Sequence, residues 1–204
     1  MANLGDQRPC EGLSAAAWAD RPPLAYPAAL LALAGCAVRV AALLCRRRMH
    51  LPARRVRTRL RFADGTSALV YRETVIDYGD VPGRCVLVVT FTLRAVRGWG
   101  HAAFRAESLL NTVLFAGFPG LVSKLWLAND SRGRYRGVYE WDGPQRADHY
   151  ARALWRVLAL VSVPGSIHYI VLPGLAQDDF AFGPTASGDL VADDAAWWRV
   201  VGCS

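Results

Sequence analysis

Residues 85–93, CVLVVTFTL, decide the fold of this chain. Aliphatic and β-branched residues stand at both odd and even positions of the run, which is typical of a strand that is buried on both faces. Such a strand lies inside a sheet whose two faces are both covered by other parts of the protein. We therefore predict a central strand here, within a single folded domain that accounts for most of the 204 residues.

The residues that follow this strand alternate between helical and strand patterns. Apolar residues recur with helical spacing in two segments, and short apolar runs bounded by Gly, Pro and Asp predict strands. The resulting order is strand, helix, strand, strand, helix, strand. This is the ferredoxin-like βαββαβ arrangement of an α+β protein. The predicted elements after the central strand are a helix at 101–116, strands at 121–128 and 135–141, a helix that starts at Asp142-Gly143-Pro144 and ends at Pro164-Gly165, and a strand at 166–172.

Upstream of the central strand, two alternating runs flank Asp64-Gly65 and predict a β-hairpin, with strands at 57–62 and 67–75. We place the domain at 56–176, with the hairpin inside it. The helices of a βαββαβ unit cover one face of the sheet. The other face carries apolar side chains as well, so a monomer would expose a large apolar patch to water. We therefore expect a homodimer through that sheet face.

The N-terminal quarter divides into two parts. Residues 1–23 contain Gly and Pro without a hydrophobic period and predict a disordered lead. Residues 24–48 predict a hydrophobic helix with a basic end, and 24–45 are long enough to span a bilayer, although Arg39 lies inside them. A membrane-anchoring helix, a surface helix and a true start at Met49 remain as alternatives. We expect a cytoplasmic location, with a tether to the inner face of the membrane under the first alternative, because the positive cluster follows the apolar run.

The charge distribution argues against a nucleic-acid-binding surface. Nine arginines and no acid lie between Arg39 and Arg61, so the remainder of a chain with net charge +7 has a net charge of −2. A duplex-binding face needs cations spread over the folded part. The five cysteines have irregular spacing and form no CxxC, so we expect neither a disulfide framework nor a metal site. Residues 177–204 predict an acidic C-terminal tail that either docks as an arm or stays loose.

Three short motifs fall on the predicted elements: Pro119-Gly120-Leu121, Lys124-Leu125-Trp126 and the run GVYEW at 137–141. Their order is similar to that of the YdhR-like monooxygenases, in the dimeric α/β-barrel group that includes the antibiotic-biosynthesis monooxygenases. The resemblance covers about 85–175. It implies a cofactor-independent monooxygenase that acts on an aromatic or polycyclic small molecule. It also implies a homodimer.

This chain departs from the pattern at Arg136-Gly137, where the family usually has Gly-Gly. The haem-degrading relatives place a Trp and a His on the helix after the third strand. Here Tyr150 stands at the Trp position, and no His follows ten residues later. The resemblance therefore disfavours haem degradation, and we expect no cofactor.

Two residues are candidates for a catalytic base. Glu107 lies at the edge of the apolar stripe of the helix at 101–116, one turn before Asn111, and burial would raise the pKa of its carboxyl into a useful range. His168 alternates with apolar residues on the last strand. Beside each candidate stands an ordinary structural interpretation: a helix-edge ion pair of Glu107 with Lys124 or Arg105, and a core or interface histidine.

Four residues are candidates for binding an aromatic substrate. Lys124 and Trp126 share one strand face, and Tyr139 and Trp141 share one face of the returning strand. Together with Asn111, Lys124 would hold a phenolate or oxyanion. Ordinary core packing is the alternative for the aromatic residues. A non-catalytic small-molecule-binding or structural dimer of the same fold remains the second functional hypothesis.

Overall fold

A computed structural model of the chain describes residues 18–77, 79–94, 96, 116–183 and 196–204. The described part contains eight strands and three helices. In chain order they are α1 (Tyr26–Cys45), β1 (Met49–His50), β2 (Arg59–Phe62), β3 (Ser67–Ile76), β4 (Arg84–Thr92), β5 (Leu121–Leu127), β6 (Arg134–Asp142), α2 (Pro144–Val161), β7 (His168–Pro173), α3 (Gln177–Phe182) and β8 (Val200–Cys203).

All eight strands belong to one antiparallel sheet with the order β7-β4-β6-β5-β3-β2-β8, and β1 pairs with β3. The central strand β4 pairs with β6 along its whole length and with β7 on its other side. The order β7-β4-β6-β5 is the strand order of a ferredoxin-like sheet. The helix that would join β4 to β5 was predicted at 101–116, and all of it except Ala116 lies outside the described residues.

The predicted strands and the hairpin match the observed elements closely. The strands at 85–93, 121–128 and 135–141 correspond to β4, β5 and β6, with ends that differ by at most one residue. The hairpin forms between β2 and β3 around Asp64-Gly65. Gly65 has φ +78°, a left-handed conformation that a glycine adopts without strain.

One core fills the space between the helices and the sheet. Cys85, Leu87 and Val89 project from β4 into it, and Tyr150 and Leu154 of α2 pack against them. Helix α2 begins at Pro144, a residue whose fixed φ suits the first helical turn. Its buried residues recur with helical spacing, as the sequence predicted. We call this side of the sheet the helix side.

A second core covers the other face of the sheet within the same chain. Val86 and Val88 of β4 are 0% exposed there. They belong to one cluster with Leu60 of β2, Val200 of β8 and Ala181 of α3. Strands from the two ends of the sheet order thus meet, so the sheet curls over its own second face. The expected dimer stays a prediction, but the exposed apolar face from which it was inferred is absent from the described residues.

The predicted domain bounds of 56–176 leave out segments that pack on the domain. Trp197 and Trp198 contact the second core, and β8 pairs with β2, so the described part of 177–204 docks as an arm. The arm docks because the edge of β2 is available to pair with β8. The curled sheet also provides an apolar surface on which Trp197 and Trp198 pack. At the other terminus, residues 18–23 of the predicted lead are also ordered. Asp20 accepts a hydrogen bond from the backbone N–H of Tyr169 at 2.7 Å.

Candidate functional site

The register of β5 and β6 brings three of the predicted site residues together on the helix side. Lys124 pairs with Tyr139, and Trp126 pairs with Gly137. Side chains that lie directly opposite each other in an antiparallel pair share a face. The Lys124 Nζ lies 3.0 Å from the centre of the Trp126 ring and 4.6 Å from the centre of the Tyr139 ring. We call Lys124, Trp126 and Tyr139 the lysine cluster.

Lys124 is the only lysine of the chain, and it is buried with 5% of its surface exposed. Burial lowers the pKa of its amine well below 10.5, and the positive charge of Arg72 lowers it further. The aromatic faces favour the ammonium form, but cation–π contacts contribute about 2 kcal/mol even when desolvated, less than full burial of a charge costs. Among the described residues, no carboxylate forms an ion pair with Lys124. The amine therefore loses its proton more readily than that of an exposed lysine.

Trp126 is held in place from β3. Its indole Nε1 donates a hydrogen bond to the Thr74 Oγ1 at 3.1 Å. The guanidinium carbon of Arg72 lies 5.4 Å from the centre of the same ring. Since the hydrogen bond fixes the plane of the indole, the face that Lys124 contacts is presented in one orientation.

Gly137 gives Tyr139 its position. A Cβ at residue 137 would lie 2.7 Å from the Tyr139 Cε2 and 2.8 Å from its hydroxyl oxygen, so the ring lies directly over the glycine. The Tyr150 hydroxyl donates to that of Tyr139 at 3.4 Å. Burial raises the pKa of both hydroxyls, so both stay protonated at neutral pH. Tyr139 is thus a hydrogen-bond donor and not a base.

The lysine cluster borders a cavity of about 50 Å³. A cavity of about 150 Å³ is needed to hold one benzene ring, whereas a few waters fit into about 50 Å³. A ring-sized ligand therefore requires one of the lining side chains to move. Besides the lysine cluster, the lining includes Tyr71 of β3, Phe91 of β4, Tyr135 of β6, and Leu154 and Leu158 of α2.

Two other predicted site residues, His168 and Trp141, lie apart from this cavity. His168 points to the second face of the sheet, where its Nδ1 lies 2.8 Å from the Asp20 Oδ2 and nearly half of its side chain is exposed. Trp141 is fully buried and packs on Tyr150, with ring centres 4.8 Å apart. Glu107 and Asn111 lie outside the described residues. The predicted roles of Glu107 and Asn111 remain predictions.

Sequence reasoning did not select Arg72, Tyr150 or Phe91 as site residues. Period-2 alternation along β4 places Phe91 on the same face as Val89, so the pattern contained that signal. Arg72 is different, because the register of β3 against β5 shifts at a bulge between Val70 and Arg72. No local sequence pattern reveals that shift.

A second buried polar group lies on the other face of β6. Arg136 is fully buried and forms ion pairs with Asp64 at 2.6 Å and Asp130 at 2.7 Å. Arg134 adds a further pair to Asp64 at 2.5 Å. Among the described residues, no set of three His, Cys, Asp or Glu side chains is arranged to hold a metal ion. We call Asp64, Asp130, Arg134 and Arg136 the ion-pair network.

The solved structures that are similar to this chain include two from Listeria. One, from Listeria monocytogenes 4b F2365, is described as an uncharacterized ferredoxin fold protein related to antibiotic biosynthesis monooxygenases. It is 15% identical with a TM-score of 0.40, and the match covers 55% of this chain and 66% of that one. The other, a monooxygenase-like protein from Listeria innocua, is 16% identical with a TM-score of 0.38, over 55% and 67%. No protein-family model and no curated protein matches the chain.

Proposed function

We propose that the protein is a cofactor-independent, monooxygenase-like protein that acts on an aromatic small molecule at the lysine cluster. The observation that carries the proposal is the Lys124 amine, which lies among aromatic faces at a cavity and has no carboxylate partner among the described residues. A lowered pKa makes the unprotonated amine, the form that accepts a proton, easier to reach, and aromatic walls suit a flat ring. Lys124 is then the base, instead of Glu107 or His168.

The reaction begins when the Lys124 Nζ takes a proton from the methylene group of the keto tautomer of a phenol. The substrate carbanion passes one electron to O2, and the resulting radical and superoxide combine. The Lys124 ammonium returns its proton to give a hydroperoxide, which eliminates water. One methylene and one O2 thus yield one carbonyl and one water. Tyr139, which stays protonated, donates a hydrogen bond to the substrate oxygen.

The size of the cavity restricts the substrate. Because about 50 Å³ is too small for a ring, the substrate enters only when a lining side chain moves, such as that of Leu158, which is only partly buried. A single-ring substrate requires less displacement than a fused polycycle. We therefore place single-ring phenols ahead of polycyclic ones.

A non-catalytic binding or structural protein of the same fold is the second candidate. The observation in its favour is the same small volume, since a cavity of about 50 Å³ is too small for an aromatic ring. Under this alternative, Lys124 is a buried amine that has no catalytic role. We propose a homodimer under either candidate function.

Oxygen uptake with the Lys124→Met variant tests the choice. Met matches the length of Lys and removes the amine, and Leu154→Met is the matched control because it changes the cavity wall without a titratable group. With resorcinol and anthrone as probes, we expect wild type and Leu154→Met to consume O2 and Lys124→Met to lose about 10²-fold or more. Equal uptake by wild type and Lys124→Met rejects Lys124 as the base. If the wild type consumes no O2 with any phenol, the non-catalytic candidate is favoured.

A further inference from the structure

The outer face of α1 is apolar and exposed. One stripe of the helix, Ala29, Cys36 and Val40, is buried against the domain. Leu31 and Val38 lie outside that stripe, and each is 74% exposed. By length and composition the helix is able to cross a membrane. A helix that is apolar on all sides normally has a second apolar environment around it.

The domain holds α1 along its length. Near its start, Leu24 donates a backbone hydrogen bond to Arg152 of α2 at 3.2 Å, and the Arg156 Nε donates to the Leu24 carbonyl at 2.7 Å. At its middle, a Cβ on Gly117 would lie 2.1 Å from the Cys36 carbonyl oxygen, so the two backbones touch. A helix fixed in this way lies beside the domain, so a membrane that contacts α1 meets it side-on.

A groove of about 520 Å³ runs between α1, the segment at 117–119 and the start of α2. Its apolar walls include Leu31, Val38 and Phe118. Three basic side chains also line it, from Arg39, Arg146 and His149, and its described lining contains no acid. Arg146 forms an ion pair with Asp142, whereas Arg39 has no acidic partner among the described residues. Arg46, Arg47 and Arg48 are exposed at the end of the helix.

We propose that this groove binds an acyl chain of an anionic phospholipid, so that α1 lies in the surface of an anionic membrane leaflet. The exposed apolar face of α1 enters the acyl boundary, as in-plane amphipathic helices do. Arg39 and the arginines at 46–48 face the phosphate groups, where each cation strengthens binding about fivefold. Charge is the reason for choosing a lipid leaflet over a second copy of the chain, because two copies of α1 would bring their arginines together.

Vesicle flotation of the full chain tests the proposal. We expect the protein to float with vesicles of phosphatidylcholine mixed with phosphatidylglycerol and to stay behind with phosphatidylcholine alone. Val38→Glu is expected to weaken flotation about tenfold or more, and Arg39→Gln about fivefold. Leu175→Glu is the control, since Leu175 is also exposed but precedes α3, which packs on the second core. Unchanged thermal unfolding shows that each variant is folded.

Gly35 provides a test of the groove itself. An added Cβ there meets nothing within 4 Å, so Gly35→Met fills the groove without a clash and Gly35→Ala serves as its control. In native mass spectra we expect one retained phosphatidylglycerol on wild type and Gly35→Ala, and none on Gly35→Met. Equal flotation on both vesicle types overturns the proposal. So does a dimer that Val38→Glu converts to a monomer without any vesicle binding, which would assign the face to a second copy.

Discussion

Two buried polar clusters lie on opposite faces of β6, and their chemistry differs in one respect. Arg136 meets two carboxylates, and both acids are saturated: the Asp64 Oδ1 accepts from the Thr66 N–H at 3.0 Å and from its hydroxyl at 2.6 Å. Lys124 meets aromatic rings and the charge of Arg72. A hydrogen-bonded buried network specifies structure, whereas a buried amine with no carboxylate partner among the described residues is held at a cost to stability. Such a cost is characteristic of functional sites.

The largest expected effect in this comparison comes from the ion-pair network. Arg136→Met leaves Asp64 and Asp130 buried with fewer partners, and breaking a buried pair in this way costs about 3–5 kcal/mol. Among the described residues no carboxylate pairs with Lys124, so Lys124→Met is expected to leave stability unchanged or raise it. Urea unfolding of the two variants measures both values. Similar losses in the two variants would mean that Lys124 has a structural partner of its own.

The second effect is the pH dependence of the free energy of unfolding. Because the pKa of Lys124 is lowered in the folded state, the unfolded chain binds more protons between that pKa and 10.5. Stability therefore rises with pH in this window, by at most about 1.4 kcal/mol per pH unit. We expect urea titrations from pH 6 to pH 9 to show this rise in wild type relative to Lys124→Met. A flat difference between the two curves would contradict a lowered pKa.

The ion-pair network is expected to make the free energy of unfolding depend on pH at the acid end of the scale. Burial acts to raise the pKa of Asp64, but hydrogen bonds from Thr66 and the charges of Arg136 and Arg134 lower it overall, below 3.8. Its contribution to stability is present above 3.8 and is lost as the pH falls through the folded pKa. At neutral pH we expect Asp64→Asn to have a lower free energy of unfolding than wild type. As the pH falls, the free energy of unfolding of the variant is expected to decrease less steeply. An acid transition as steep as that of wild type would place the titrating group elsewhere.

The smallest expected effect concerns Gly137, which adjoins Arg136 but faces the lysine cluster. In Gly137→Ala the new methyl displaces the Tyr139 ring, at a cost of about 1–3 kcal/mol. The free space beside the ring keeps the cost toward the lower end. The fluorescence of Trp126 should change with it, while the ion-pair network keeps its acid transition. A loss as large as that of Arg136→Met would mean that the two faces of β6 are coupled.

Local patterns determined much of the fold. The two-faced run at 85–93, the Asp64-Gly65 turn and the helical stripe of α2 predicted their elements, because period and turn chemistry are local properties. They also placed Lys124, Trp126 and Tyr139 on facing strands. The sequence did not separate His168 from this group, although its even position on β7 puts it on the opposite face from Tyr169.

Tertiary structure decided what covers the second face of the sheet. The predicted dimer came from counting apolar residues on β4, and that count is the same whether a second chain or the chain's own β2, β8 and α3 do the covering. The pairing of β8 with β2 joins residues about 140 positions apart, and no local pattern encodes it. The burial of Lys124 without a carboxylate partner in the described part of the chain depends on the same long-range packing. Composition sets how much apolar surface must be covered, and only the folded chain determines which residues cover it.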